Sequence, residues 1–235
     1  LSDEERIEAE EKARAEKIEL VGEVFYMDGQ KDFGAELKEL FKLKVEEKMV
    51  GRRLIREYTQ EADIEALFIP DYYDAVAQIA PSLAYYNLQD MFLMGSNGWN
   101  SPKLLKLTKK HVEGAIFVDG FFKGSQTPAA NEFIEKFRAA YGYTPGIVEA
   151  QAFDATRIIL KAVERAGSGE RKYVRQAIED TFDFEGATGV ISFDEHGEAK
   201  KDVTLLTVSK GKIKELFMDE KISVKSRITP DDEPQ

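Results

Sequence analysis

Apolar residues in this chain gather into short runs separated by helix-length amphipathic stretches, the alternation expected of strands and helices taking turns along one polypeptide. The clearest example is EALFIPDYYDAVAQIAPSLAYYNLQDMFLMGSNGWNSP, residues 65–102. Ala66, Leu67, Phe68 and Ile69 form a run too short for a helix and without period-two alternation, which predicts a parallel strand covered on both faces. Pro70 stops it. Asp71 can cap a helix with Val76, Ile79 and Ala80 on one face, Pro81 bends or ends that helix, and residues 91–94 supply the next buried strand. A third run, residues 115–118, follows Glu113-Gly114. In open parallel sheets, ligands bind beyond the carboxyl ends of the strands. Those ends carry Asp71, Tyr72 and Tyr73 after the first strand, residues Ser96, Asn97, Gly98, Trp99 and Asn100 after the second, and Asp119 after the third.

The rest of the pattern flanks this unit. Ser2 and Glu5 form a capping box for a charged helix to about Lys17, residues 18–26 read as a strand, and Asp28-Gly29-Gln30 reads as a turn. From Asp32 onward, Phe33, Leu37, Leu40, Phe41 and Val45 recur at helical spacing. Residues 44–60, KVEEKMVGRRLIREYTQ, are charged and interrupted by Gly51, and read as an exposed excursion made of a helix extension and a loop. Ser101-Pro102 opens a helix with Leu104, Leu105 and Leu107. Thr127-Pro128 opens another, with Phe133, Ile134, Phe137, Ala140 and Tyr141 on one face and Gly142 closing it. A long helix over 148–166 offers Ala152, Ala155, Ile159, Ala162 and Ala166 for close packing, and a shorter one carries Val174 and Ile178. Short strands at 190–193, 203–208 and 213–216 make an antiparallel addition, and the chain is polar from residue 217. The helices between 127 and 181 need a sheet, yet no parallel strand is predicted between 121 and 181.

Composition narrows the chemistry. The chain has 235 residues, 33 Lys and Arg against 44 Asp and Glu, and a net charge of −11, which argues against nucleic acid and anionic membrane surfaces as partners. It has no cysteine, so thiolate catalysis, disulfides and cysteine-based zinc sites are excluded. No apolar run approaches the roughly 20 residues of a membrane span. The chain starts at Leu1 without an initiator Met, which implies that processing or truncation removed what preceded it. His111 and His196 have no plausible catalytic partner nearby in sequence, Asp194 to Glu198 lacks the carboxylate spacing of a calcium loop, and no glycine-rich phosphate loop is present. Nothing calls for a cofactor or a metal. Arg52, Arg53 and Arg56 read as a solvated face rather than an anion site.

The central stretch, together with VEGAIFVDGFF, the Phe153-Asp154-Ala155 helix and GVISFDEHGEA, resembles the type I periplasmic solute-binding protein family, in particular the receptor-like extracellular proteins related to leucine/isoleucine/valine-binding proteins. The resemblance covers about residues 18–216. It implies an α/β fold of two Rossmann-like parallel-sheet lobes joined by three crossovers, with an antiparallel C-terminal addition. Residues 1–120 would form the second lobe, 121–196 the returning part of an incomplete first lobe, 197–216 strands returning to the second lobe, and 217–235 a polar tail. The first half of the first lobe would be missing, to be supplied by an absent segment or by another chain. In amino-acid-binding members a cleft tyrosine matches Tyr72, an acidic residue that takes the ligand ammonium matches Asn97, and a second cleft tyrosine matches Phe153. The implied function is non-catalytic: an extracytoplasmic protein, periplasmic or extracellular and anchored through the absent N-terminus. It would close on a small polar, amino-acid-like or amide ligand for uptake by an ABC-type membrane permease. The rival reading is a cell-envelope interaction protein on the same fold, resembling activators of penicillin-binding proteins. Tyr72, Tyr73 and Trp99 either line the cleft or pack at lobe edges. Asp71 is a helix cap or a ligand contact, Asn97 and Asn100 are turn-formers or contacts, Asp119 is a hinge or cleft residue, and Asp154 caps, pairs or contacts ligand.

Overall fold

The computed structural model describes residues 19–88 and 91–217. The helix expected at 2–17 and nearly all of the polar tail lie outside the described residues. In chain order the elements are α1 (Gly34–Leu40), β1 (Lys44–Val50), β2 (Arg53–Thr59), β3 (Ala66–Ile69), α2 (Tyr73–Tyr85), β4 (Phe92–Gly95), α3 (Pro102–Thr108) and β5 (Ile116–Asp119). They continue with α4 (Pro128–Tyr141), α5 (Ile147–Ala166), α6 (Arg171–Glu179), β6 (Phe184–Gly186), β7 (Gly189–Phe193), β8 (Ala199–Lys201), β9 (Thr204–Ser209) and β10 (Lys212–Glu215).

The apolar runs do become adjacent parallel strands. A five-stranded sheet has the order β10-β9-β5-β4-β3, with β3, β4 and β5 parallel and β9 and β10 added antiparallel. Ile69, Gly95, Phe117 and Leu206 lie in one row across it. Because side chains alternate across a strand, that row shares a face with Leu67, Leu93, Ala115 and Val208. This face builds the main core with Phe33, Leu37, Phe41, Val76, Ile79, Leu83 and Leu104 from α1, α2 and α3. The opposite face, with Phe68, Phe92, Met94, Ile116, Val118 and Leu205, is only partly covered, and Phe68 and Met94 are exposed. The expectation of a strand covered on both faces therefore fails for β3, which is the edge of the sheet. An apolar run reports that a strand is buried somewhere, not which neighbours it has.

Two other expectations are corrected. Residues 19–26 form no strand, since a strand exists only where a neighbour completes its ladder. Tyr26 nevertheless docks on Phe33, edge to face at 4.9 Å. Residues 44–59 are not a helix extension and loop but a β-hairpin, β1 pairing with β2 from Lys44↔Thr59 to Val50↔Arg53. Gly51, at φ +63°, takes the first central position of the two-residue turn, where a positive φ is required. Charges on both faces, Glu47 and Arg56 on one and Lys44, Glu46, Lys48 and Glu57 on the other, hide its period of two.

The second body has its own antiparallel sheet, β6-β7-β8, and its own cores. α5 buries Ala150, Asp154, Ile158 and Ala162. Of the set expected to pack, only Ala162 is buried, while Ala152, Ala155 and Ile159 are exposed beside Val148 and Val163. The helix is apolar on two sides, and the second side has no sheet against it among the described residues. β8 belongs to this body, so the chain returns to the five-stranded sheet at Asp202-Val203 rather than at Gly197.

His111 lies in the 3-10 turn Lys109–Val112 and is half-buried. Burial first, then Lys110 and Lys109, hold its imidazole pKa below the usual 6.5. A folded pKa below the unfolded one means that the unfolded chain takes up the proton first, so stability should fall as pH drops through the window just under 6.5. An NMR titration of His111 with a midpoint above 6.5 would contradict this.

Candidate functional site

β3, β4 and β5 end side by side, and their tips touch. Gly98 lies so close to the preceding tip that a Cβ there would sit 2.8 Å from the Asp71 carbonyl oxygen and 3.0 Å from Tyr72 Cα. Tyr72, the extended residue before α2, is 67% exposed. Asn97 is exposed at the start of the 3-10 turn Asn97–Trp99, and its side chain has no hydrogen-bond partner among the described residues. Tyr72 and Asn97 thus present a phenol and an unengaged amide from touching loops.

Trp99 is not part of that surface. It is fully buried, its indole Nε1 donates to the Ile69 carbonyl at 3.1 Å, and its ring packs 6.0 Å from Phe117. Gly95 makes room for it, since a Cβ there would fall 2.2 Å from Trp99 Cε2. The tryptophan ties the ends of β3 and β5 together from beneath.

Asp71 does not cap α2 with its side chain, and Tyr72 holds the N-cap position. Its carboxylate accepts from the Tyr72 backbone N–H at 2.6 Å and from the Tyr26 hydroxyl at 2.8 Å. Burial, then that hydrogen bond, pushes the Tyr26 phenol above the usual range. Tyr73 points to α3, where the Lys103 ammonium donates to its hydroxyl at 3.2 Å and lies 5.5 Å from its ring centroid.

Asp119 is buried at the crossover out of β5. One carboxylate oxygen accepts from Gly120 N–H at 2.6 Å and Phe121 N–H at 3.3 Å, and the other accepts from Asn100 Nδ2 at 2.7 Å. Lys201, at the return crossover, donates to the Gly120 carbonyl at 3.2 Å. Partial burial lowers the pKa of its ammonium, with Asp154 and Asp119 acting in the opposite sense. Both crossovers are therefore cross-linked beside the strand tips. The sequence offered Asn100 as a turn-former or contact and did not single out Lys201 or Tyr26, because a lysine in the charged run Glu198-Ala199-Lys200-Lys201-Asp202 and a lone tyrosine in a short apolar stretch carry no pattern.

The remaining candidates belong to the second body. Phe153 stacks 4.7 Å from Phe133 and packs with the core of α4, Ile147 and Phe121, and Arg157 covers its ring at 5.4 Å. Asp154 is fully buried and accepts from Ala187 N–H at 2.7 Å, Thr188 N–H at 2.8 Å and the Thr188 hydroxyl at 2.8 Å. All three donors come from the β6–β7 turn, so Asp154 pins that turn to α5.

The periplasmic binding protein family model matches residues 6–212. The leucine/isoleucine/valine-binding protein homolog 1 of Brucella suis is 25% identical over 141 residues, covering 60% of this chain and 37% of that protein. The leucine-, isoleucine-, valine-, threonine- and alanine-binding protein of Pseudomonas aeruginosa is 25% identical over 143 residues, with the same coverage. Among solved structures, a leucine-binding protein LivK from Thermotoga maritima superposes with a TM-score of 0.61 at 28% identity, covering 83% of this chain and 50% of that one. This chain thus spans half or less of these relatives' length. With nearly all of the described fold inside the matched region, the chain belongs to the type I periplasmic binding protein family.

Proposed function

We propose that this chain is the ligand-gripping portion of an extracytoplasmic solute-binding protein, non-catalytic, that holds a small polar, amino-acid-like or amide ligand at the tips of β3 and β4. The observation that carries this reading is the pair of accessible groups on touching loops, Tyr72 and Asn97, beside the cross-linked crossovers at Asp119 and Lys201. A phenol ring supplies buried area and an amide supplies orientation. The amino-acid-binding relatives support the ligand class. Asn97 accepts a hydrogen bond from an ammonium group without offering a countercharge, which weakens its grip on an α-ammonium. Closure would bend the crossovers, and the closed form would be presented to an ABC-type permease from the periplasmic or extracellular side. The uncovered side of α5 is where we place the rest of the first lobe, from the same polypeptide or another chain.

Isothermal titration of a protein carrying both lobes, against branched-chain amino acids, their amides and short peptides, tests this. Binding by at least one compound is expected, weakened about tenfold by Tyr72→Ala. Asn97→Asp should tighten binding of compounds that carry an α-ammonium by a similar factor through the added charge. No heat from any compound would count heavily against a solute-binding role. A second reading, a cell-envelope interaction protein, is favoured by the missing countercharge at Asn97 and by the exposed hairpin. Recovery of a peptidoglycan synthase rather than a permease in a pull-down would support it.

A further inference from the structure

We infer that the β1–β2 hairpin is a membrane-contacting arm, whose tip inserts shallowly among anionic lipid headgroups. β1 and β2 pair with each other and with no other strand among the described residues, and every residue of the ribbon is exposed except the partly covered Tyr58. Its base rests on the far end of α2, where Tyr58 lies 5.9 Å from Tyr85 and 4.8 Å from Tyr86, ring centre to ring centre. The thirteen residues of α2 separate that base from Tyr72 by about 20 Å. The arm therefore leaves the body at the end opposite the candidate site.

The tip is chemically distinct from the shaft. Along the shaft, Arg56 pairs with Glu47 at 2.9 Å and Lys48 with Glu57 at 2.6 Å, which neutralises both strands. At the tip, Met49 (65% exposed) and Leu54 (49%) lie on one face and Val50 (60%) and Ile55 (42%) on the other. A ribbon docking on a flat protein surface needs one apolar face. A wedge that is apolar on both faces is satisfied only when surrounded, as in the interfacial layer of a bilayer. Arg52 and Arg53 sit at the apex of this wedge, between Met49-Val50 and Leu54-Ile55, are exposed, and form no ion pair among the described residues. No carboxylate lies between Met49 and Ile55.

The net charge of −11 opposes approach to an anionic membrane only if it is felt at the tip. Seven-residue strands extend about 24 Å, against a screening length of about 8 Å at physiological ionic strength, so the tip meets the surface largely free of the body's field. Such contact would hold the protein with the Tyr72–Asn97 corner facing away from the bilayer.

Flotation of the 235-residue chain with vesicles tests the inference. Binding to vesicles containing phosphatidylglycerol, weakening as salt rises and absent on pure phosphatidylcholine, is the expected result. Arg52→Gln with Arg53→Gln should lower partitioning about thirtyfold, at roughly 1 kcal/mol per cation near an anionic surface. Met49→Ser with Leu54→Ser should lower it independently, and neither pair touches the buried core. No binding to anionic vesicles at low salt overturns the inference, as does binding indifferent to both pairs of substitutions. Hairpin-dependent self-association without vesicle binding also overturns it, in favour of a protein surface.

Discussion

Trp99→Ala is expected to lower the unfolding free energy by about 3–5 kcal/mol, the range for truncating a fully buried large side chain. Trp99 has no exposed surface, fills the gap that Gly95 leaves, and satisfies the Ile69 carbonyl. Truncation would empty that volume and strip the carbonyl of its partner together. Trp99→Phe should cost less, because the ring volume is mostly kept while the N–H is lost. Equilibrium urea unfolding measured by circular dichroism checks both, and a loss below about 1 kcal/mol in Trp99→Ala would show that the corner collapses around the gap. Since Trp99 is the sole tryptophan, the wild-type emission should be blue-shifted and should move to the red on unfolding.

Asp154→Ala should have a comparable effect, at least about 3 kcal/mol, because it deprives two buried backbone N–H groups and a hydroxyl of their acceptor, at about 1–3 kcal/mol for each donor left unmet. Asp154→Asn keeps the shape but turns half of the acceptor into a donor, and should fall in between. The damage should be regional. Amide hydrogen exchange at Ala187 and Thr188 is expected to accelerate strongly, while the amides of β4 and β5 stay protected. Unchanged protection at Ala187 and Thr188 would mean that another group replaces the carboxylate.

What the sequence made legible was the existence of elements rather than their surroundings. The continuous runs at Ala66 and Phe92 announced parallel strands because such runs are too short for a helix and lack the alternation of a half-wet strand. That β3 is an edge depends on what lies beside it in space, which no local pattern encodes. Residues 44–59 read as a helix extension and a loop because the charged pairs Glu47-Lys48 and Arg56-Glu57 put charge on both faces and blur the period of two, although Val45, Met49, Leu54 and Tyr58 share one face of the ribbon. In α5 the error was one of rotation: alanines and branched residues occur on two sides, and the side chosen by the small β6–β7–β8 sheet is the one holding Asp154. At the site, Tyr72 and Asn97 followed from their place after strands. Trp99 was open between core and cleft, and burial decided it. Asp71 and Asp119 were read as carboxylates at strand ends, correctly placed, but both are engaged by neighbours that lie tens of residues away or come from the backbone.

Phe121 and Phe122 are neighbours in the chain, yet Phe121 is buried with Phe133 and Ala150, and Phe122 with the core of the five-stranded sheet. The two rings enter different cores from adjacent positions, so inserting one residue between Gly120 and Phe121 would carry them off the cores they now fill. Each would then face solvent or the wrong cavity, and both bodies would lose an anchor from a single change. Conservative replacements of either ring should be tolerated better than a change in the spacing that divides them between the two cores.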